Sequence, residues 1–254
     1  MAEETKYPFE ISVDKWMGGT RHKVSLAGTT AWIIEPPCFT EEKRWFWLPE
    51  WPTAFPQRNG VKELIQMGFY MVHIEIFGKF ANEEAVRIMY ALYEYMQELK
   101  FAPKGAFIGM SLGGLYTFRF LENYPHVANC IYADAPVCRL DWRHERRSEL
   151  APEVSRAYGH GDDINALYDH PLSPVNNCKK MLEHKIPLLM IVGLDDLVVD
   201  ADINGLLMAD LWKKAGCKVE VISRLSWGHH PHGLDDPSRI IRFITENKIG
   251  RAHV

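Results

Sequence analysis

The sequence predicts an α/β fold, with a mostly parallel central sheet, antiparallel strands at its N-terminal side and helices on both faces. Three observations carry this. From Asn82 onward, short apolar runs alternate with longer runs whose apolar residues recur at helical period, as where strands feed covering helices. From Ile11 to Pro36, strand-like runs are separated only by turn residues such as Gly18-Gly19 and Gly28, the pattern of antiparallel strands. The chain has 254 residues, 47% hydrophobic and 24% charged, which matches a folded chain of one large domain or two small ones and excludes disorder.

Taken in order, Arg44 to Leu48 is a further strand, rich in Trp and Phe and ended by Pro49. Gly60 to Met67 is a short helix and Tyr70 to Ile76 a strand. Asn82 to Leu99 carries Ala85, Ile88, Met89, Leu92, Tyr95 and Met96 on one side and is a helix. Ala106-Phe107-Ile108 is a strand, Leu112 to Asn123 a helix, and Cys130 to Tyr132 a strand. The rhythm then breaks: Pro136 to Lys185 is polar, rich in Arg, His and Asp, and only patchily helical. It resumes with strand Pro187 to Val192, helix Ala201 to Ala215, strand Lys218 to Ser223 and helix Pro237 to Glu246. No repeat or Ser/Gly linker divides the chain, so residues 1–248 are expected to form one domain, with 136–185 inserted as a cap.

Composition narrows the function classes. A net charge of −4 gives no electrostatic reason to expect nucleic acid or an anionic membrane as partner. No apolar run approaches the ~18 residues of a membrane helix. The start, Met1-Ala2-Glu3-Glu4-Thr5-Lys6, lacks the basic-then-apolar order of a signal peptide, so a cytoplasmic location is expected. Cys38, Cys130, Cys138, Cys178 and Cys217 are odd in number and have no Cys-x-x-Cys pair, which fits neither a disulfide framework nor a zinc pattern. Cys130 reads as a small core residue, as do Trp45 and Trp47 as large ones.

In a parallel sheet, function gathers at the carboxyl ends of the strands. There, strand Ala106-Phe107-Ile108 runs into Gly109-Met110-Ser111-Leu112-Gly113-Gly114 and a helix, a G-x-S-x-G nucleophile elbow in its required context. Chance alone places three such residues in about one chain in ten of this length, so the strand before and helix after carry the assignment. The elbow demands an acid and then a histidine, each after a later strand. Gly193-Leu194-Asp195-Asp196 and Gly228-His229-His230-Pro231-His232-Gly233 supply them in that order. Ser111 is then the nucleophile, a histidine its general base, and an aspartate the group that orients the imidazole.

On these residues the chain resembles the α/β-hydrolase superfamily over nearly all its length. The resemblance implies that the acid stands third after the strand-ending glycine, which selects Asp196 over Asp195. It also implies that the base follows a glycine directly, which selects His229. Gly228-His229-His230-Pro231-His232-Gly233-Leu234, Trp16-Met17-Gly18-Gly19 and Tyr132-Ala133-Asp134-Ala135-Pro136-Val137 are similar to a bacterial branch of prolyl-oligopeptidase-like esterases, some of them carbohydrate esterases. This implies a serine esterase with no cofactor, acting on a small-molecule or carbohydrate ester, with acetyl or hydroxycinnamoyl (feruloyl) as the acyl group. A small peptidase or amidase is the second enzyme class, set lower for want of a separate propeller-like gate. A binding protein that merely keeps the fold is the non-enzyme class. Self-association into a homo-oligomer stays open.

An acyl hydrolase also needs an oxyanion hole. One donor is expected at the backbone N–H of Leu112. The other belongs to the loop after Leu48, where Pro49-Glu50-Trp51-Pro52 replaces the common His-Gly pattern. The two prolines have no N–H, which leaves Glu50 or Trp51; Trp51 is favoured, with its ring walling the acyl pocket. No metal is expected, because His229 and His230 are adjacent whereas zinc motifs space their ligands three to five residues apart. His230 and His232 read as packing residues, with His230 a candidate substrate contact. Asp134 is an alternative acid, read foremost as a structural carboxylate. Arg139, Arg143, Arg146 and Arg147 read as a solvated face; the sharper reading has Trp142 and these arginines contacting a sugar or an acidic substrate. Finally, Ile249-Gly250-Arg251-Ala252-His253-Val254 resembles translated sequencing-adapter read-through, as in a gene assembled from metagenomic reads, so 249–254 is expected to be non-native.

Overall fold

The computed structural model describes residues 7–38, 40–142 and 148–247. Arg143, Arg146, Arg147 and the 249–254 tail fall outside the described residues. Nine strands form one sheet among them: β1 (Glu10–Trp16), β2 (Gly19–Leu26), β3 (Thr29–Glu35), β4 (Trp45–Trp47), β5 (Tyr70–Ile74), β6 (Gly105–Met110), β7 (Ala128–Asp134), β8 (Leu188–Gly193) and β9 (Val219–Arg224). Their spatial order is β1-β2-β3-β5-β4-β6-β7-β8-β9. The first three strands and the β3–β5 pair are antiparallel. From β5 through β4 to β9 every pair is parallel. The mixed sheet predicted from the pattern is thus the one observed.

The helices are α1 (Val61–Gln66), α2 (Glu83–Glu98), α3 (Leu112–Asn123), α4 (Ala151–Ala157), α5 (Lys179–Glu183), α6 (Gly205–Lys214) and α7 (Ser238–Glu246). α2 starts where its sequence says it should: the Asn82 side chain accepts from the Ala85 N–H at 3.0 Å, with Glu83 and Glu84 in the first turn. α6 begins four residues later than the apolar period suggests. The reason is Asn204, whose Oδ1 accepts from the Cys138 N–H at 2.8 Å while its Nδ2 donates to the Asp200 carbonyl at 3.0 Å, which keeps 201–204 in turns.

Alternation along the strands splits the core into two layers. Ile34, Phe46, Met71, Ile108, Tyr132 and Ile191 face α1 and α7. Ile33, Trp45, Trp47, Val72, Phe107 and Met190 face α2, α3 and α6. Trp45 and Trp47 pack edge to face at 6.2 Å between ring centroids, and Cys130 is fully buried, as core residues should be. Among its described residues, the 136–185 stretch holds α4, α5 and two short 3-10 turns, and its Val137, Leu140, Trp142, Val154, Leu167 and Met181 join the second layer.

Candidate active site

β6 ends in a turn that α3 leaves at once, and Ser111 sits at its tip with φ 48° and ψ −119°. A non-glycine residue at such angles costs on the order of 1–3 kcal/mol and needs its surroundings to hold it. Ser111 N–H donates to the Asp134 carbonyl at 2.9 Å, and its own carbonyl accepts from Val137 N–H and Gly114 N–H, each at 2.9 Å. Glycine is required here at Gly109 and Gly114. A Cβ at Gly109 would meet the Gly114 Cα at 2.9 Å, and one at Gly114 would meet the Pro136 Cβ at 2.3 Å. Gly113, the second glycine of the motif, has only ordinary contact at 3.5 Å with Glu50. Of the two glycines after Ser111, the one that the turn cannot replace is therefore Gly114, one position beyond the motif.

Ser111 Oγ lies 2.9 Å from His229 Nε2, and His229 Nδ1 lies 2.7 Å from Asp196 Oδ2. The carboxylate accepts from Nδ1–H, so Nε2 carries the lone pair that receives the serine proton. Asp196 Oδ1 accepts from the N–H groups of Val198 at 2.8 Å and Val199 at 2.9 Å. Burial pushes the Asp196 carboxyl up, but hydrogen bonds from His229 and these N–H groups outweigh it and hold the group below the usual carboxylate range. All three side chains are nearly closed to solvent. The acid and base loops meet through main chain: Asp195 N–H donates to the Trp227 carbonyl and Leu194 N–H to the Arg224 carbonyl, each at 3.0 Å. A Cβ on Gly193 would lie 2.3 Å from the Trp227 oxygen, so glycine alone permits that approach.

Asp134 is elsewhere engaged. It ends β7, is fully buried, and accepts from His232 Nδ1–H at 2.8 Å, Gly233 N–H at 2.8 Å and the Tyr132 hydroxyl at 3.0 Å. It is a structural carboxylate that ties the histidine loop to the sheet. Arg58 adds a second tie, donating from Nε to the His232 carbonyl at 2.8 Å and pairing with Asp235, and Arg224 Nη1 donates to the Gly233 carbonyl at 2.8 Å. Nothing in the local sequence around Arg58 signals this clasp, because its partners are 174 and more residues away.

On the other side of Ser111, Leu112 opens α3, so its N–H has no carbonyl to meet within the helix. Trp51 follows β4 with φ 55°, is 39% exposed, and meets Phe77 edge to face at 5.4 Å. The start of that loop is fixed by β5. Leu48 N–H donates to the Val72 carbonyl at 3.1 Å, and His73 Nδ1–H donates to the Leu48 carbonyl at 2.8 Å. Burial pushes His73 down to about 4, so it stays a neutral strut at ordinary pH. Glu50 is the alternative to Trp51 as second donor, and its side chain is the unexpected part. It is buried, its Oε1 has no hydrogen-bond partner, and burial pushes its carboxyl up to about 7 against the Trp51 N–H and the Tyr116 hydroxyl nearby.

The remaining candidates divide. His230 is exposed, stacks on Phe55 at 5.7 Å and touches His229, beside the serine. Burial and its two histidine neighbours hold it below the usual range. Trp142 does not reach a substrate surface: it is 1% exposed, packs on Phe80 at 5.8 Å and donates from Nε1 to the Arg139 carbonyl at 2.9 Å. The expectation of a sugar contact there is corrected, because its apolar ring is committed to the core.

The class of protein that this fold and this elbow define is the serine hydrolase of α/β-hydrolase fold. Residues 84–246 match the prolyl oligopeptidase family, well over half of the chain, and the chain belongs to that family. Among curated proteins none matches. Of solved structures, Pyrococcus horikoshii acylaminoacyl peptidase is similar at TM-score 0.67 and 14% identity, over 97% of this chain and 42% of that one. Porphyromonas gingivalis dipeptidyl peptidase 4 is similar at TM-score 0.68 and 16% identity, over 90% of this chain and 36% of that one. The chain thus spans well under half the length of these two peptidases. Est1E from Butyrivibrio proteoclasticus is similar at TM-score 0.61 and 13% identity, over 90% of this chain and 98% of that one. At these identities the likeness is one of fold. No described helix is long and apolar enough to cross a membrane.

Proposed function

We propose that the protein hydrolyses carboxylic esters through Ser111, His229 and Asp196. The observation that carries this reading is the unbroken Ser111–His229–Asp196 hydrogen-bonded chain at 2.9 and 2.7 Å, with the serine held at positive φ. Ser111 Oγ attacks the ester carbonyl as His229 Nε2 takes its proton. The Leu112 N–H receives the oxyanion, joined by the Trp51 N–H once it turns from the Glu50 carboxyl, each such donor lowering the barrier by about 3–4 kcal/mol in hydrolases of this kind. The alcohol leaves with the proton from His229, and water, activated by the same nitrogen, releases the acid and restores Ser111.

The acyl group is short, acetyl or hydroxycinnamoyl, on a carbohydrate alcohol. Trp51 and Phe77, exposed rings that follow β4 and β5 at the carboxyl end of the sheet and meet edge to face at 5.4 Å, support this choice, since they offer apolar surface to an aromatic acyl chain. The family match favours a second reading, amide or peptide hydrolysis by the same residues. A fluorophosphonate probe, a panel of p-nitrophenyl esters including the feruloyl ester, and aminoacyl p-nitroanilides test both, with Ser111→Ala as control. Serine-dependent ester turnover is expected. Turnover of anilides alone would select the peptidase, and neither labelling nor turnover would end the enzyme reading.

A further inference from the structure

The histidine loop carries a second chemistry that its linear spacing hides. His229, His230 and His232 each offer a ring nitrogen, and these three atoms lie within 4.8 Å of one another. The ring centroids are 4.7, 4.9 and 5.0 Å apart, with interplanar angles of 69°, 81° and 86°. Three imidazoles on a tetrahedral zinc ion, at Zn–N of about 2.0–2.1 Å, have ring centroids about 5 Å apart and nitrogens about 3.3 Å apart. The rings already stand at that separation, and turning the exposed His230 completes the convergence of the nitrogens.

The surroundings of two of the rings are those of metal ligands. His229 donates Nδ1–H to Asp196 at 2.7 Å, and His232 donates Nδ1–H to Asp134 at 2.8 Å, both carboxylates being buried. A carboxylate on one ring nitrogen fixes the tautomer and leaves the other with its lone pair outward, the arrangement that orients histidine on zinc. Imidazole nitrogens select a borderline transition ion and pass over Mg2+ or Ca2+, which want oxygen.

We propose that His229, His230 and His232 form a binding site for Zn2+ or a similar divalent transition ion, and that its occupation reversibly inhibits hydrolysis. Three nitrogen lone pairs replace three waters on the cation, and a water or Ser111 Oγ fills the fourth position. Each imidazole binds through the nitrogen that bears no proton, so no bond to hydrogen breaks. His229 Nε2 cannot hold the cation and take the Ser111 proton together, so the two states exclude one another. The inhibition rests on the proposed hydrolase chemistry; the binding does not.

The experiment separates them. ZnCl2 is titrated into Ser111→Ala by isothermal calorimetry and into the wild type during ester turnover, with MgCl2 as control and EDTA for reversal. One Zn2+ per chain is expected, with inhibition that EDTA relieves and MgCl2 does not produce. His230→Gln, at an exposed ring, should weaken binding in the Ser111→Ala background about tenfold or more. It should shift half-inhibition by the same factor relative to its own metal-free rate. Equal affinity with and without His230, no stoichiometric binding, or binding that leaves turnover untouched would each overturn the site. An absence of turnover in metal-free enzyme would instead refute the hydrolase reading while the calorimetry still reports on the metal.

Discussion

Two buried aspartates stand at the ends of neighbouring strands and reach the same histidine loop, and replacing each by asparagine should produce opposite failures. In Asp196→Asn the amide oxygen keeps the N–H bonds of Val198 and Val199, and the amide nitrogen faces His229 Nδ1, 2.7 Å from the present oxygen. Nδ1 must then accept, the ring proton moves to Nε2, and Ser111 loses its base. The same change in a serine protease triad lowers kcat about 10⁴-fold, or about 5.5 kcal/mol of barrier. Stability should change by only about 1 kcal/mol, because no buried donor is orphaned. In Asp134→Asn the reverse holds. The amide oxygen can keep Gly233 N–H and the Tyr132 hydroxyl only if the NH₂ faces His232, which must change tautomer, and the Arg224 cation, 3.9 Å from Oδ1, then faces a neutral amide. The lost anion beside Arg224 and the weakened bonds from Gly233 and His232 together cost about 2–4 kcal/mol. For a chain of this size that lowers Tm by about 5–15 °C. kcat of the folded fraction should stay within about tenfold of wild type, since the Ser111–His229–Asp196 chain is intact. Thermal melts and p-nitrophenyl acetate turnover on both variants read the two quantities separately. If Asp134→Asn cost more in kcat than Asp196→Asn, the assignment of the acid would be refuted.

Other outcomes follow from the same geometry. Glu50 titrates near 7 when folded against 4.5 when free, so its contribution to stability is complete below pH 4.5 and is lost as pH rises through about 7. That loss amounts to about 3 kcal/mol, and Glu50→Gln should flatten the fall in Tm over this range; parallel Tm profiles would contradict the burial argument. Gly193→Ala forces the Trp227 carbonyl away from the acid loop, so kcat should fall tenfold or more together with a drop in Tm, and an unchanged enzyme would show that the loops give freely. Trp51→Ala keeps the backbone donor but removes one ring of the exposed pair with Phe77. KM for a feruloyl ester should rise several-fold while that for acetyl stays, and equal effects on both would remove the ring from acyl recognition.

Much of this was legible before any coordinate. Strand period, the elbow after Ile108 and the order of acid and base pick out Ser111 and the two loops at 193–196 and 228–233, because each follows a strand end that the apolar pattern marks, and the α/β-hydrolase resemblance then selects Asp196 and His229. What escaped had non-local causes. Trp142 reads as a sugar contact in a polar segment, yet its ring is drawn into the core by Phe80, 62 positions upstream. Asn204 delays α6 through a bond to Cys138 that no local propensity reveals. Glu50 looks like any surface glutamate, and only packing against Gly113 and Tyr116 shows it closed off from water. Histidine spacing along the sequence argues against a metal, and the nearness of the three rings on which the proposed site rests is hidden because 228–233 is a chain of bends and not a regular element.

The backbone seam between the acid and base loops also decides which parts of this molecule are free to drift. Main-chain bonds of Leu194 and Asp195, with peptide groups pressed against Gly193, join the acid loop to the base loop. Leu194, Leu197 and Leu225, all exposed, flank that seam. They can exchange for residues of any size or charge without retuning the proton relay. Selection, or a library screen, can therefore vary these three positions while the chemistry beneath them is inherited unchanged.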